Sequence, residues 1–260
     1  MFRALHSAAS GMQAQQTNID VVANNMANVN TTGFKKSRAE FQDLLYQTVR
    51  APGGQAGTGA SAPAGLQIGL GVRTSATQAM HVQGSLQQTG NSLDIAIEGN
   101  GFIQVQRPNG DMAYTRAGNL KADSDGRLVT SDGYAIEPNI TIPADATAIT
   151  ISSTGLISVT QPGQQQSQEV GQLQLANFAN PGGLLQTGRN LYTVTAASGV
   201  AVIANPGEEG TGTVAQGFLE GSNVEVVNEM IDLIASQRAY ETNQRVITAA
   251  DEMLRKTTER

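Results

Sequence analysis

The chain has 260 residues, with 16 basic and 22 acidic side chains for a net charge of −6, and only 15% of its residues are charged. It holds no Cys and no Trp, but 29 glycines, about 11% of the chain against an average near 7%. These figures exclude a disulfide-stapled domain, a thiolate metal site and a Cys nucleophile, and an acidic chain with a pI near 4.9 is a poor nucleic-acid binder.

An apolar fraction of 39% argues against one large dense core, and no run of about 18 apolar residues is present to cross a membrane. Residues 1–16 are too polar and too broken for the apolar centre of a signal peptide, so no cleaved signal is expected.

The first predicted element is a helix from Leu5 to Val29. Leu5, Met12, Ile19 and Met26 recur every seven residues, with Ala8, Val22 and Val29 three positions later and Gln15 interrupting. That is one apolar stripe, narrow enough for a coiled-coil seam. Asn28 to Gly33 is a cluster of helix-ending residues, with Gly33 able to take the left-handed cap. Residues 50–65 are Ala, Gly, Ser, Thr and Pro with almost nothing to bury, and composition alone reads them as a linker.

The middle of the chain is β-like. Short alternating runs occur at 93–97, 102–106, 127–130, 149–151, 156–160, 173–176 and 191–195. Asn109-Gly110, Asp125-Gly126 and Asp132-Gly133 supply hairpin turns between them. This predicts an antiparallel sandwich or barrel, with no βαβ rhythm. A second long helix follows from Val224 to about Thr257, with Val226, Leu233, Tyr240, Ile247 and Leu254 again at sevens and no Gly or Pro after Gly221. The predicted class is therefore α+β, with N- and C-terminal helices forming a coiled coil and a central antiparallel all-β domain. A two-helix hairpin buries only one side of each helix, so the ends are expected to order fully against further copies.

The residues offer no catalytic pattern. His6 and His81 are the only histidines, and neither stands in a nucleophile–base arrangement. The spacings of zinc sites and of phosphate-binding loops are missing. Asp123-Ser124-Asp125-Gly126 lacks the later ligands of a calcium loop and reads as a turn. No enzyme activity, cofactor or metal is expected. Assembly is left as the leading class, and a secreted β domain or binding module with helical docking ends is the alternative.

Ala23-Asn24-Asn25-Met26-Ala27-Asn28-Val29-Asn30-Thr31-Thr32-Gly33-Phe34-Lys35 resembles the N-terminal motif of the bacterial flagellar rod and hook family at every fixed position. Two further stretches are similar to that family: 93–102 with 113–118, and 220–231 with 236–241. Residues 41–48 followed by the Pro/Gly-rich stretch to Pro63 look like the distal-rod members, whereas hook members usually lack this insert and carry an extra outer domain. The chain departs from its relatives at His6, where a large aromatic is frequent.

The resemblance implies residues 1–33 and 222–260 as a helical polymer core, 34–74 as a connecting region, and 75–221 as an outer β domain. It implies subunit packing along Leu5, Met12, Ile19, Val22, Met26, Val226, Leu233, Tyr240, Ile247 and Leu254. Asn24, Asn25, Asn28, Thr31, Gly33, Phe34 and Lys35 form the family motif, with Asn24 and Asn28 placed to hydrogen-bond across subunits. Residues 46–63, with Tyr46, Pro52 and Pro63, form a rod-stiffening segment. The implied partners are further copies of the chain, proximal rod proteins, the hook or its junction, the periplasmic and outer-membrane rings as a bushing, and the flagellar type III export apparatus. Nucleic acid and membrane insertion are not implied. The implied location is the basal-body rod crossing the periplasm, reached without a cleaved signal. Another axial subunit of the family is the nearest alternative.

Overall fold

The computed structural model describes residues 2–51, 55–56, 60–61, 64–163 and 166–258. It is an α+β chain with one helix near each end and antiparallel β structure between. Two compact units divide it. One comprises Met1–Met26, Ser37–Gln78 and Glu225–Arg260, and the other Ala27–Lys36 and Ala79–Val224.

The first unit holds both helices, α1 (Phe2–Ala27) and α2 (Val226–Thr258). A Pro-free run with a seven-residue apolar repeat makes each continuous, and Arg255 and Lys256 sit at the carbonyl end of α2, where the helix dipole favours cations. Strands fill the rest of the unit. Ser37–Asp43 pairs with Val72–Ala79, and Tyr46–Arg50 pairs antiparallel with Leu66–Gly69. Gln55–Ala56 and Ala60–Ser61 add a short pairing beyond. The ribbon of Tyr46–Arg50 and Leu66–Gly69 thus flanks the low-complexity stretch, most of which lies outside the described residues. The ribbon's side chains bury little, but backbone hydrogen bonding needs only alternation and extended geometry.

The second unit is built on a nine-stranded antiparallel sheet. Its central strand, Phe102–Gln106, pairs with Met112–Thr115 on one side and with both Ala135–Glu137 and Leu175–Asn177 on the other. Successive side chains point to opposite faces, and here both faces are buried. Ile103, Val105, Ala113, Leu175 and Leu191 enter an aliphatic core with Ile95, Ile97, Leu128, Ile136 and Ile157. Their neighbours Phe102, Tyr114, Ala176 and Tyr192 join Phe178 in an aromatic cluster on the other face. Edge-to-face ring pairs at 4.9–5.7 Å hold that cluster. Asn109-Gly110, Asp125-Gly126 and Asp132-Gly133 all form tight turns, with φ of 86°, 75° and 82° at Gly110, Gly126 and Gly133. A three-stranded sheet, Ala148–Ile151, Leu156–Thr160 and Gln168–Gln172, contributes Ile151, Ile157 and Val159 to the aliphatic core. Two further ribbons pair Ile95–Glu98 with Thr213–Gln216, and Leu86–Gln88 with Phe218–Glu220.

Candidate assembly surfaces

Three charged side chains meet inside the second unit. Lys35 and Glu220 have side chains with no exposure, and Arg116 is 4% exposed. The Glu220 carboxylate accepts from Lys35 Nζ at 2.6 Å and the Gly84 N–H at 2.9 Å on one oxygen, and from Arg116 Nε at 3.0 Å on the other. Arg116 spends its remaining donors on the carbonyls of Gly99 and Gly101 at 2.7–2.8 Å, and Lys35 donates to the Val82 carbonyl at 2.8 Å. Gly33 completes the junction. Its φ is +70°, its N–H donates to the Glu220 carbonyl at 2.8 Å, and a Cβ there would lie 2.7 Å from the Arg116–Ala117 backbone. Asn223 adds a second tie, donating to the carbonyls of Met80 and Val82 and accepting from the Lys36 N–H at 2.7 Å. The stretches 33–36, 80–84 and 220–223 are thereby pinned to one another.

Two cations share one anion, and the ionisation equilibria reflect it. Burial pushes the Glu220 carboxyl up, but Arg116, Lys35 and the Gly84 N–H outweigh burial and hold it below its ordinary value. Burial lowers the Lys35 ammonium, the attraction of Glu220 pulls it back up, and repulsion from Arg116 helps the fall prevail. Desolvation is thus the dominant influence on Lys35, and the guanidinium, which does not titrate, adds to it.

His81 lies beside this cluster. Its ring meets Phe102 and Tyr192 edge-on at 5.3 Å, and neither buried ring nitrogen makes a hydrogen bond of good geometry. Burial, reinforced by Lys35 and Arg116, lowers its pKa to about 4, with the Pro181 backbone a minor opposing pull. The unfolded chain therefore takes up a proton below about pH 6.5 that the folded chain refuses until about pH 4. Stability present above that window is lost as pH falls through it, by about 3 kcal/mol in all. Replacing His81→Phe should remove this loss, read as the difference in urea unfolding free energy between about pH 7 and about pH 4.5.

In the first unit α1 and α2 run antiparallel, and side-chain hydrogen bonds join them. Asn18 donates to Ser236 Oγ at 2.7 Å, and Asn25 donates to Glu229 Oε2 at 3.1 Å. Asn243 Nδ2 sits 2.9 Å from where a Cβ on Gly11 would stand. Asn25 also accepts from the Ser37 N–H and donates to the Ser37 carbonyl, both at 2.9 Å. Gly11, Asn18 and Asn25 thus form a row that meets α2, one position before Met12, Ile19 and Met26, and Ala8, Ala14 and Val22 of α1 are buried as well. Leu5, Met12, Ile19 and Met26 are half-buried and Val22 is buried. On α2, Leu233, Tyr240, Ile247 and Leu254 are half-buried, while Val226 turns outward. It joins Val227, Met230, Ile231 and Ile234 in an apolar stripe that is 41–69% exposed.

The remaining predicted residues fall as follows. Asn24 is exposed, and Asn28 Oδ1 accepts from Thr31 Oγ1 at 3.2 Å. Phe34 is half-buried. Tyr46 is 55% exposed and opposes Gly69 in its ribbon, where Val49 and Leu66 are also exposed. Pro52 and Pro63 lie outside the described residues. Sequence reasoning passed over the charge cluster because its members stand 104 and 185 residues apart. The available signal was a charge within two residues of an aromatic ring in each of three contexts, Phe34-Lys35, Tyr114-Thr115-Arg116 and Phe218-Leu219-Glu220.

Those three contexts fall in three stretches shared with known proteins. Residues 5–35 match the family described as flagella basal body rod protein, 96–159 the D1 domain of the flagellar hook proteins FlgE/F/G, and 215–260 the C-terminal part of the flagellar basal body rod FlgEFG proteins. The chain is similar over its whole length to flagellar basal-body rod proteins FlgG. Identity is 51% to that of Caulobacter vibrioides, covering 99% of this chain and 98% of the relative, and 52% to that of Agrobacterium fabrum, covering 96% of each. The flagellar hook-basal body complex protein FlhP of Bacillus subtilis is 32% identical, covering 98% and 97%. These matches are those of a structural protein of the bacterial flagellum, not an enzyme. The chain belongs to the family of flagellar basal-body rod proteins.

Proposed function

We propose that this chain is a distal-rod subunit. In this reading it polymerises into a straight, stiff helical tube that passes motor torque to the hook and encloses part of the export channel. The observation that carries the reading is the outward apolar stripe of α2, Val226, Val227, Met230, Ile231 and Ile234, on a helix whose other side already faces α1. A row of this kind calls for a protein partner, and a tube of identical copies supplies one. Greater identity to FlgG proteins than to FlhP favours the distal rod over another axial position.

The terminal helices, within 1–33 and 222–260, pair as a coiled coil and line the polymer core, ordering further as copies join. Residues 75–221 lie outside, and 34–74 connect the two. The subunit meets proximal rod proteins at one end and the hook or its junction at the other. The rings surround it, and the type III export apparatus delivers it across the periplasm without a cleaved signal.

Residues 46–63 wedge between neighbours and keep the tube straight. A two-stranded ribbon exposed along Tyr46–Arg50 is marginal alone, and packing against adjacent copies would cover it. Deleting 46–63 should therefore leave rods that assemble but curve, as seen by electron microscopy of basal bodies. Straight rods from the deletion would remove the segment's role. A failure of concentrated intact protein to form tubes would count against the polymer itself.

A further inference from the structure

We propose that three unequal polar layers fix the register of α1 against α2 within each chain. The layers are Gly11 with Asn243, Asn18 with Ser236, and Asn25 with Glu229. Each step of seven up α1 is matched by a step of seven down α2, so one register satisfies all three. Polar groups inside a helix seam give up stability and gain specificity.

The layers discriminate because they differ. A slip of three or four residues sets amides against apolar side chains. A slip of one whole heptad, about 10 Å along the axis, keeps polar opposite polar but mismatches every layer. In one direction Asn243, which needs the space a glycine leaves, is set against Asn18, and Asn25 against Ser236. In the other, Asn18 takes Glu229 and Asn25 passes beyond the first residue of α2, Val226. Both slips separate Asn25 from Glu229, whose residue is only 4% exposed. Asn25 is the anchor among the three, since Ser37 also holds its amide from a neighbouring strand. The inference concerns a single chain and stands apart from the rod reading, because a fixed register can exist in a molecule that builds no tube.

The absence of Cys permits a direct test. Val21 and Leu233 share the offset of the three layers, whereas Val21 and Tyr240 are one heptad out. Full-length chains carrying Val21→Cys with Leu233→Cys, or Val21→Cys with Tyr240→Cys, are treated with a short bifunctional methanethiosulfonate. Cross-linking within one chain is read as a faster-running monomer band. The in-register product should exceed the other about tenfold or more, the ratio expected from one lost buried charge-assisted hydrogen bond. Adding Asn25→Leu with Glu229→Leu should bring the ratio towards one without lowering helix content by circular dichroism. Glu229→Gln, which can still accept from Asn25, should retain the bias. Equal products in the otherwise unaltered chain, no in-register product, or a ratio indifferent to the Leu pair would each overturn the proposal.

Discussion

Glu220→Ala should lower the unfolding free energy of the β unit by about 3–5 kcal/mol, the range for removing one partner of a buried charge group. The loss follows from what stays behind. Lys35 and Arg116 remain without the carboxylate they share, and the Gly84 N–H loses its acceptor. Urea unfolding followed by a β-structure signal checks it, and a loss below about 1 kcal/mol, the value of an exposed ion pair, would contradict the cluster. Glu220→Gln keeps an acceptor but deletes the charge, so it should fall between the two proteins. Its pH profile carries the sign. Glu220 is held below its ordinary 4.5, so the unfolded chain binds the proton first as acid is added. Its contribution is complete above pH 4.5 and fades as pH falls through the folded value. Glu220→Gln should flatten that acid limb, below the window assigned to His81.

Met230→Asp with Ile234→Asp should leave the chain folded and abolish rod assembly. Both side chains are about half exposed, at 50% and 48%, so charging them costs little in an isolated molecule, within about 0.5 kcal/mol per surface change. Between copies each carboxylate would be stripped of water against apolar neighbours, a penalty of several kcal/mol repeated at every subunit. A deletion strain supplied with the variant should be non-motile and lack the distal rod in electron micrographs, while the purified variant melts like the parent. Leu233→Asp or Ile247→Asp acts on the inner row instead, and should disturb the helix pair before any question of assembly arises. Motility with the outer pair charged would remove the apolar stripe from the polymer contact.

Much of this architecture is legible in the residues. Both helices, the β middle and its Gly turns follow from period and turn chemistry, because those signals are local. The hydrogen bonds from α1 to α2 do not follow. Heptad logic selects the apolar row Met12, Ile19 and Met26 and gives no sign that Asn18 and Asn25, one position earlier, bond the partner helix. Only the partner helix distinguishes two rows one residue apart. Val226 shows the same limit on α2, sharing the heptad position of Leu233 yet facing outward. The ribbon at Tyr46–Arg50 and Leu66–Gly69 escaped because strands of five and four residues show too little alternation to read. The charge cluster escaped because ion pairing over 185 residues leaves no periodic trace.

The order of the cluster along the chain also governs when the β unit can close. Its two cations arrive first, at Lys35 and Arg116, and its anion arrives last, at Glu220. A polypeptide emerging N-terminus first therefore carries a pair of positive charges that it cannot afford to bury until about five-sixths of its length is out, 220 of 260 residues. Compaction is postponed by sequence order alone. The segment still to come holds both the neutralising carboxylate and the second helix, so charge balance and helix pairing each wait for it.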